Sequence, residues 1–196
     1  MMEWIVITSP GFLQGEADFI DRLFGHGLDR LHLRKPGAEI GECRRLLDGI
    51  SREWLPQIVV HDNFGLCREY GLGGVHLNGR NPMAPPNHEG SVSRSCHSLE
   101  EISRYKGECD YLTLSPIFNS ISKQGYMAAF GPGQLAAARD SGLIDRRVMA
   151  LGGVTLENIP RVKELGFGGV AILGDVWQRM ADGSVDEYLA SLRKAL

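Results

Sequence analysis

Three stretches of the chain repeat one design: Gly27-Leu-Asp-Arg-Leu-His-Leu33, Gly71-Leu-Gly-Gly-Val-His-Leu77 and Gly166-Phe-Gly-Gly-Val-Ala-Ile172. Each sets a glycine helix stop, a short gap and then a strand, and a helix end reused before each strand is what repeated βα units produce. Two apolar runs near the C-terminus, Val148–Val154 and Gly168–Asp175, stop at glycine with no polar alternation. Strands buried on both faces of a parallel sheet read this way. Between them Thr155-Leu156-Glu157-Asn158 opens a helical pattern that closes at Gly166. About eight such units of roughly 25 residues fit a compact α/β fold, a single-domain TIM (β/α)8 barrel over residues 1–196. An open doubly wound sheet is the rival. In such barrels the turns after the last two strands commonly bind phosphate through backbone N–H groups. That makes Gly152, Gly153 and Gly174 candidate anion contacts.

The other units follow in order. Strand one runs from Trp4 to Thr8, and Ala17, Phe19, Ile20, Leu23 and Phe24 mark a helix with one apolar face. Asp29–Arg34 alternates, with Leu31 and Leu33 on one side and His32 and Arg34 on the other, so the polar set faces into the barrel. Strand three is Gln57–Val60 and strand four Gly74–Leu77. Prolines at 82, 85 and 86 deny the next segment a regular helix, so the fourth helix is replaced by a Pro-rich loop. Ser91-Val92-Ser93 reads as a weak fifth strand, and Ser98 with Glu101 as a capping box. Strand six, Asp110–Leu114, enters a long polar loop to about Gly131, and Pro132–Ser141 is a helix. Trp177 onward reads as a closing helical tail.

A net charge of −3 gives no electrostatic footprint for nucleic acid or an anionic membrane, and no apolar run approaches the ~20 residues of a spanning helix. Met1-Met2-Glu3 leads directly into a strand without a charged-then-apolar leader. Cys43, Cys67, Cys96 and Cys109 form no CxxC pattern. A reduced, cytoplasmic protein is the expectation, with a homodimer left open.

Catalytic groups in such barrels lie just past the carboxyl ends of the strands. The residues there include Arg34 and Lys35; His61, Asp62 and Asn63; His76, Asn78 and Asn81; Ser95 and His97; and Ser115. Arg34 with Lys35 reads as an anion clamp, because a guanidinium meets phosphate oxygens bidentately. Asp62 suits either a hard cation such as Mg²⁺ or the N-cap of the next helix. Lys123 reads as a loop phosphate ligand or an exposed lysine. Several histidines near strand ends invite a zinc-hydrolase reading, against which no HxH or HExxH occurs. His76 alone reads as a hydrogen-bonded core residue. Cys96 and His97 are strand neighbours pointing to opposite faces, which favours an inert buried thiol.

In this order the strand-end motifs resemble the thiamine-phosphate synthase and TenI (thiazole tautomerase) superfamily. The motifs are His32-Leu-Arg34, Val60-His-Asp62, Gly74-Val-His-Leu77, Ser95-Cys-His-Ser-Leu-Glu-Glu101, Ser115-Pro-Ile-Phe118 with Ser120-Ile-Ser-Lys123, Leu151-Gly-Gly-Val154 and Gly169-Val-Ala-Ile-Leu173. The resemblance implies a synthase that joins hydroxymethylpyrimidine pyrophosphate to a thiazole phosphate, with small phosphorylated substrates and Mg²⁺. It implies that Arg34 and Lys123 hold pyrophosphate, that Asp62 and Asn81 hold the metal, and that Gly152, Gly153 and Gly174 hold the thiazole phosphate. Ser95, Ser120 and Ser122 match polar contacts. His32 stands where the family has a glutamine, and His61 where it has the pyrimidine-binding asparagine. Asn81 replaces the second metal aspartate, which removes a charge and weakens Mg²⁺. The His-x-Arg pattern leans toward the tautomerase branch, with His32, His61 or His97 as proton shuttle. That branch's catalytic histidine aligns with Pro116, while the Ser-x-Ser-Lys loop is synthase-like. A thiazole tautomerase and a non-catalytic binder of thiazole or thiamine phosphate are the alternatives.

Overall fold

A computed structural model describes residues 1–119 and 129–196. Eight parallel strands form one closed ring: β1 (Glu3–Ile7), β2 (Arg30–Leu33), β3 (Ile58–Val60), β4 (Gly74–Leu77), β5 (Ser91–Cys96), β6 (Tyr111–Leu114), β7 (Val148–Leu151) and β8 (Gly169–Ile172). Each strand pairs with its sequence neighbour, and β8 closes on β1 with Trp4 opposite Val170. The rival open sheet is thereby excluded. Around the ring lie α1 (Glu16–Gly25), α2 (Ile40–Gly49), α3 (Gly65–Tyr70), α4 (Leu99–Tyr105), α5 (Pro132–Asp140), α6 (Ile159–Glu164), α7 (Gly174–Trp177) and α8 (Val185–Ala195).

Strand alternation divides the interior in two. Trp4, Val6, Leu31, Leu33, Val60, Val75, Leu112 and Leu114 face outward and pack with Phe19, Ile20, Leu23, Leu47 and Leu192 of the helices in one continuous core. Inside the ring, Ile5, Ile7, Tyr111, Met149 and Ala171 form a second apolar cluster. It covers β1, β6, β7 and β8. The opposite wall, from β2 to β5, is polar and buried, with His32, His61, His76 and Ser93 each at most 3% exposed. Burying polar side chains costs free energy unless they bond one another, so this half of the ring is built for something other than packing.

The segment between β4 and β5 holds no helix, as its prolines dictate. Three local expectations are corrected. The fifth strand runs on to Cys96, because its alternate serines face the polar wall and so carry no hydrophobic signal. The tail begins at Gly174, three residues before Trp177, so the last glycine corner is itself the start of α7. Asp62 caps no helix, since Phe64 occupies the cap position of α3. The glycine ahead of β8 also has a sharper cause than a helix stop. A Cβ on Gly168 would lie 1.9 Å from the Arg146 carbonyl oxygen.

Among the described residues no helix is long and apolar enough to cross a membrane. All four cysteines are free and buried, and burial pushes the Cys96 thiol up to about 12. Thiolate is the reactive form. Titration of the native protein with an aromatic disulfide reagent at pH 8 is therefore expected to find close to none of the four thiols, and all four in denaturant. Rapid native labelling of one would show that the helix layer opens locally.

Candidate active site

At the carboxyl end of the ring lies a cavity of ≈ 740 Å³. Arg34 enters it from β2, His61 from β3, Asn78 from β4, Ser95 and His97 from β5, Ser115 from β6, Gly152 and Gly153 from β7, and Gly174 from α7. His32 and Asn81 are not among its lining residues. Ser120, Ser122 and Lys123 lie outside the described residues.

The two glycines after β7 permit a close approach by a neighbouring segment. Gly152 and Gly153 have φ of 94° and 65°, a region L side chains rarely adopt. A Cβ on Gly153 would sit 2.4 Å from the Asn119 carbonyl oxygen, and one on Gly152 2.9 Å from Pro116 Cα. The bare backbone thus lets the segment after β6 lie against the β7 corner. Hydrogen bonds from Ile117 N–H to the Leu151 carbonyl and from Phe118 N–H to the Gly152 carbonyl stitch the two together. Asp175, beside Gly174, accepts from Arg179 and from the Tyr188 hydroxyl, which takes up its charge.

The expected Arg34–Lys35 clamp splits. Lys35 is buried, and its Nζ donates to Glu16 at 2.6 and 2.8 Å and to the Gly11 carbonyl. Strand alternation sends neighbours to opposite sides, so Lys35 ties the loop after β1 to the end of β2. Arg34 remains. Its backbone is seated by Thr8, whose hydroxyl accepts from the Arg34 N–H at 2.9 Å and donates to its carbonyl at 3.0 Å. Among the described residues no carboxylate pairs with the Arg34 guanidinium, which lines the cavity.

Asp62 and Asn81 do meet, as acceptor and donor. The Asn81 amide donates to Asp62 at 2.8 Å and to the His61 carbonyl at 2.9 Å. Arg80 covers both Asp62 oxygens at 3.2 Å. A resident Mg²⁺ calls for free carboxylate oxygens in octahedral array. This pair offers one carboxylate already neutralised by a guanidinium and an amide turned N–H first, so it does not fit a cation held by the protein alone.

What inspection of the sequence missed is the convergence of His32, His61 and His76. The registers place Leu33 opposite Val60 and Val60 opposite Val75, which brings the three imidazoles to one level of the ring. Their ring centroids are 4.1 to 5.1 Å apart. His32 Nδ1 and His61 Nε2 share a hydrogen bond of 3.0 Å, and His32 Nε2 lies 2.6 Å from the Tyr111 hydroxyl. His76 is held on both nitrogens, by Ser93 and Ser95, each at 2.8 Å. Burial, then the neighbouring positive groups, holds His32 and His61 well below the usual histidine range and His76 at about 3. At neutral pH the wall is uncharged. The signal was present in the alternation of His32 with Leu31 and Leu33 and of His76 with Val75 and Leu77, but pairing register is not written in any one strand.

Ring and cavity together define a (β/α)8 barrel with a candidate site at the carboxyl rim of its strands. A statistical model of the family described as thiamine monophosphate synthase (TMP-TENI) matches residues 5–176. The chain belongs to that family. It is 29% identical over 157 residues to the thiamine-phosphate synthase of Bacillus mycoides, covering 75% of this chain and 71% of that one. To the Geobacillus kaustophilus thiamine-phosphate synthase it is 28% identical over 184 residues, covering 88% and 83%. Among solved structures, the thiamine phosphate pyrophosphorylase of Bacteroides thetaiotaomicron superposes with a TM-score of 0.89 at 39% identity, covering 99% and 97%. The Pyrococcus furiosus thiamine phosphate pyrophosphorylase, at 22% identity and a TM-score of 0.78 over 99% and 95%, shares the fold.

Proposed function

We propose that this enzyme joins hydroxymethylpyrimidine pyrophosphate to thiazole phosphate, releasing pyrophosphate and forming thiamine phosphate. The observation that carries the reading is one cavity holding both the Arg34 guanidinium, which no carboxylate among the described residues pairs, and the glycine corners of β7 and α7. The reaction breaks a carbon–oxygen bond to pyrophosphate and forms a carbon–nitrogen bond to the thiazole. Charge accumulates on the departing phosphoryl oxygens, where a guanidinium is worth most. Arg34 would bind them, with Lys123, Ser120 and Ser122 joining it on the strength of the family resemblance. Gly152, Gly153 and Gly174 would take the thiazole phosphate on backbone N–H groups. His61 and Ser95 would face the pyrimidine, with His32 behind them fixing the His61 ring.

Mg²⁺ supplies charge neutralisation to a pyrophosphate leaving group, but Asp62 as arranged does not offer it a seat. The Mg²⁺ requirement is accordingly expected to be weak, saturating only in the millimolar range. Asn81→Asp restores a second carboxylate and is expected to lower the half-saturating Mg²⁺ by about tenfold or more. An unchanged Mg²⁺ curve would show that Asp62 and residue 81 are not where the cation enters.

The direct test supplies both half-molecules with Mg²⁺ and looks for thiamine phosphate. Its formation is expected. Absence of product together with proton exchange on a thiazole carboxylate would replace this reading with the tautomerase, and tight thiazole phosphate binding without either would leave a binder.

A further inference from the structure

The polar half of the ring brings three histidines together. His32, His61 and His76 come from three adjacent strands, are all buried, and each offers a ring nitrogen within 4.8 Å of the others. We propose that these three imidazoles form a binding site for a borderline divalent transition-metal ion of the Zn²⁺ class, open on its fourth side to the cavity.

Four observations support it. First, the donor set is three neutral nitrogens, which suits Zn²⁺, Co²⁺, Ni²⁺ or Cu²⁺ and not Mg²⁺. Second, nitrogen–metal bonds of about 2.0–2.1 Å in tetrahedral array put ligand atoms roughly 3.4 Å apart. His32 Nδ1 and His61 Nε2 already stand at 3.0 Å and all three ligand atoms lie within 4.8 Å, so His76 closes in on the other two as the metal enters. Third, outer partners are in place for two of the three rings, His32 and His76. A metal-bound histidine holds its remote N–H on a hydrogen-bond acceptor, which sets tautomer and ring plane. The Tyr111 hydroxyl lies at His32 Nε2, and Ser93 and Ser95 lie at the two nitrogens of His76, so whichever nitrogen binds, the other stays held. Fourth, the Thr113 hydroxyl is fully buried without a hydrogen-bond partner among the described residues, on the strand beside Ser95 and in the same inward phase as Tyr111. An orphaned buried hydroxyl marks room for a polar guest.

The proton inventory is simple. The shared proton between His32 and His61 moves to His32 Nε2, where the Tyr111 oxygen accepts it and the Tyr111 proton turns to Ser93. Each ring keeps one proton, so metal binding releases none from the imidazoles. His61 lines the cavity, so the fourth position opens to water or a ligand atom, the pattern of an open site. This inference does not depend on the proposed coupling reaction, since the probe is the metal alone.

The experiment uses untagged, chelator-stripped protein titrated with Zn²⁺ against a chromophoric competitor, and with Co²⁺ read by its visible spectrum. One equivalent is expected, at micromolar affinity or tighter, with the intense visible bands of four- or five-coordinate Co²⁺ and no thiolate charge-transfer band. His76→Gln and His32→Gln should each weaken binding about 100-fold or more, and Tyr111→Phe about tenfold. Should a histidine variant fail to fold, X-ray absorption of Zn²⁺-loaded native protein decides instead, with three imidazoles expected around the metal. Failure to bind one equivalent, a weak octahedral Co²⁺ spectrum, affinity untouched by the substitutions, or a shell of oxygen or sulfur would each overturn the proposal.

Discussion

Glu16→Ala is expected to destabilise the protein by about 3–5 kcal/mol, read as a fall in the urea midpoint with an unchanged slope. The Glu16 and Lys35 side chains are each 1% exposed. Glu16 also accepts the Leu13 N–H at 3.1 Å. Removing the carboxylate leaves a buried ammonium whose remaining partners among the described residues are the Gly11 carbonyl and the face of the Phe12 ring. Burial already pulls the Lys35 ammonium below the usual lysine range, with Glu16 opposing it, so the unpaired cation would shed its proton or draw in water. Replacing both residues, Glu16→Leu with Lys35→Met, is expected to cost less than either single change, because no charge is then stranded. A double variant as unstable as the sum of two singles would show that the pair acts through the loop contacts and not through charge. Thr8 and Lys35 flank Arg34, so loss of the pair should also loosen the arginine's seat.

Arg34→Ala is expected to lower kcat/KM for thiamine phosphate formation by about 10²- to 10³-fold, the usual consequence of deleting one donor to a developing oxyanion. The side chain lines the cavity and pairs with no described carboxylate, so the unfolding midpoint should stay within about 0.5 kcal/mol of the native value. Arg34→Lys keeps the charge but not the planar fork, and should recover only part of the rate. Inhibition by free pyrophosphate should weaken in parallel. A loss under about fivefold with undiminished pyrophosphate inhibition would move the leaving-group site elsewhere in the cavity.

How much of this was legible beforehand follows from which physical cause each feature has. The ring was readable because Val148–Leu151 and Gly169–Ile172 are apolar throughout, the mark of strands covered on both faces. The missing fourth helix was readable from prolines that act locally. β5 was under-read because Ser93 and Ser95 serve one histidine, His76, that comes from another strand. Lys35 was misjudged for a related reason: its partner Glu16 lies 19 residues away, and no local rule distinguishes a buried lysine from an exposed one. The histidine wall depends on register across β2, β3 and β4, which only the closed sheet determines. At Gly152 and Gly153 the bulk that excludes a Cβ belongs to Pro116 and Asn119, on another corner that the local sequence does not announce.

Because β1 finds its second neighbour only in β8, and Trp177 Nε1–H donates to the Ile7 carbonyl, the first strand made is the last to be completed. During synthesis on the ribosome its Trp4–Ile7 edge stays open until residue 172 has left the exit tunnel. A stalled or prematurely terminated product would therefore carry a sticky β edge, a ready substrate for chaperones and for proteolysis.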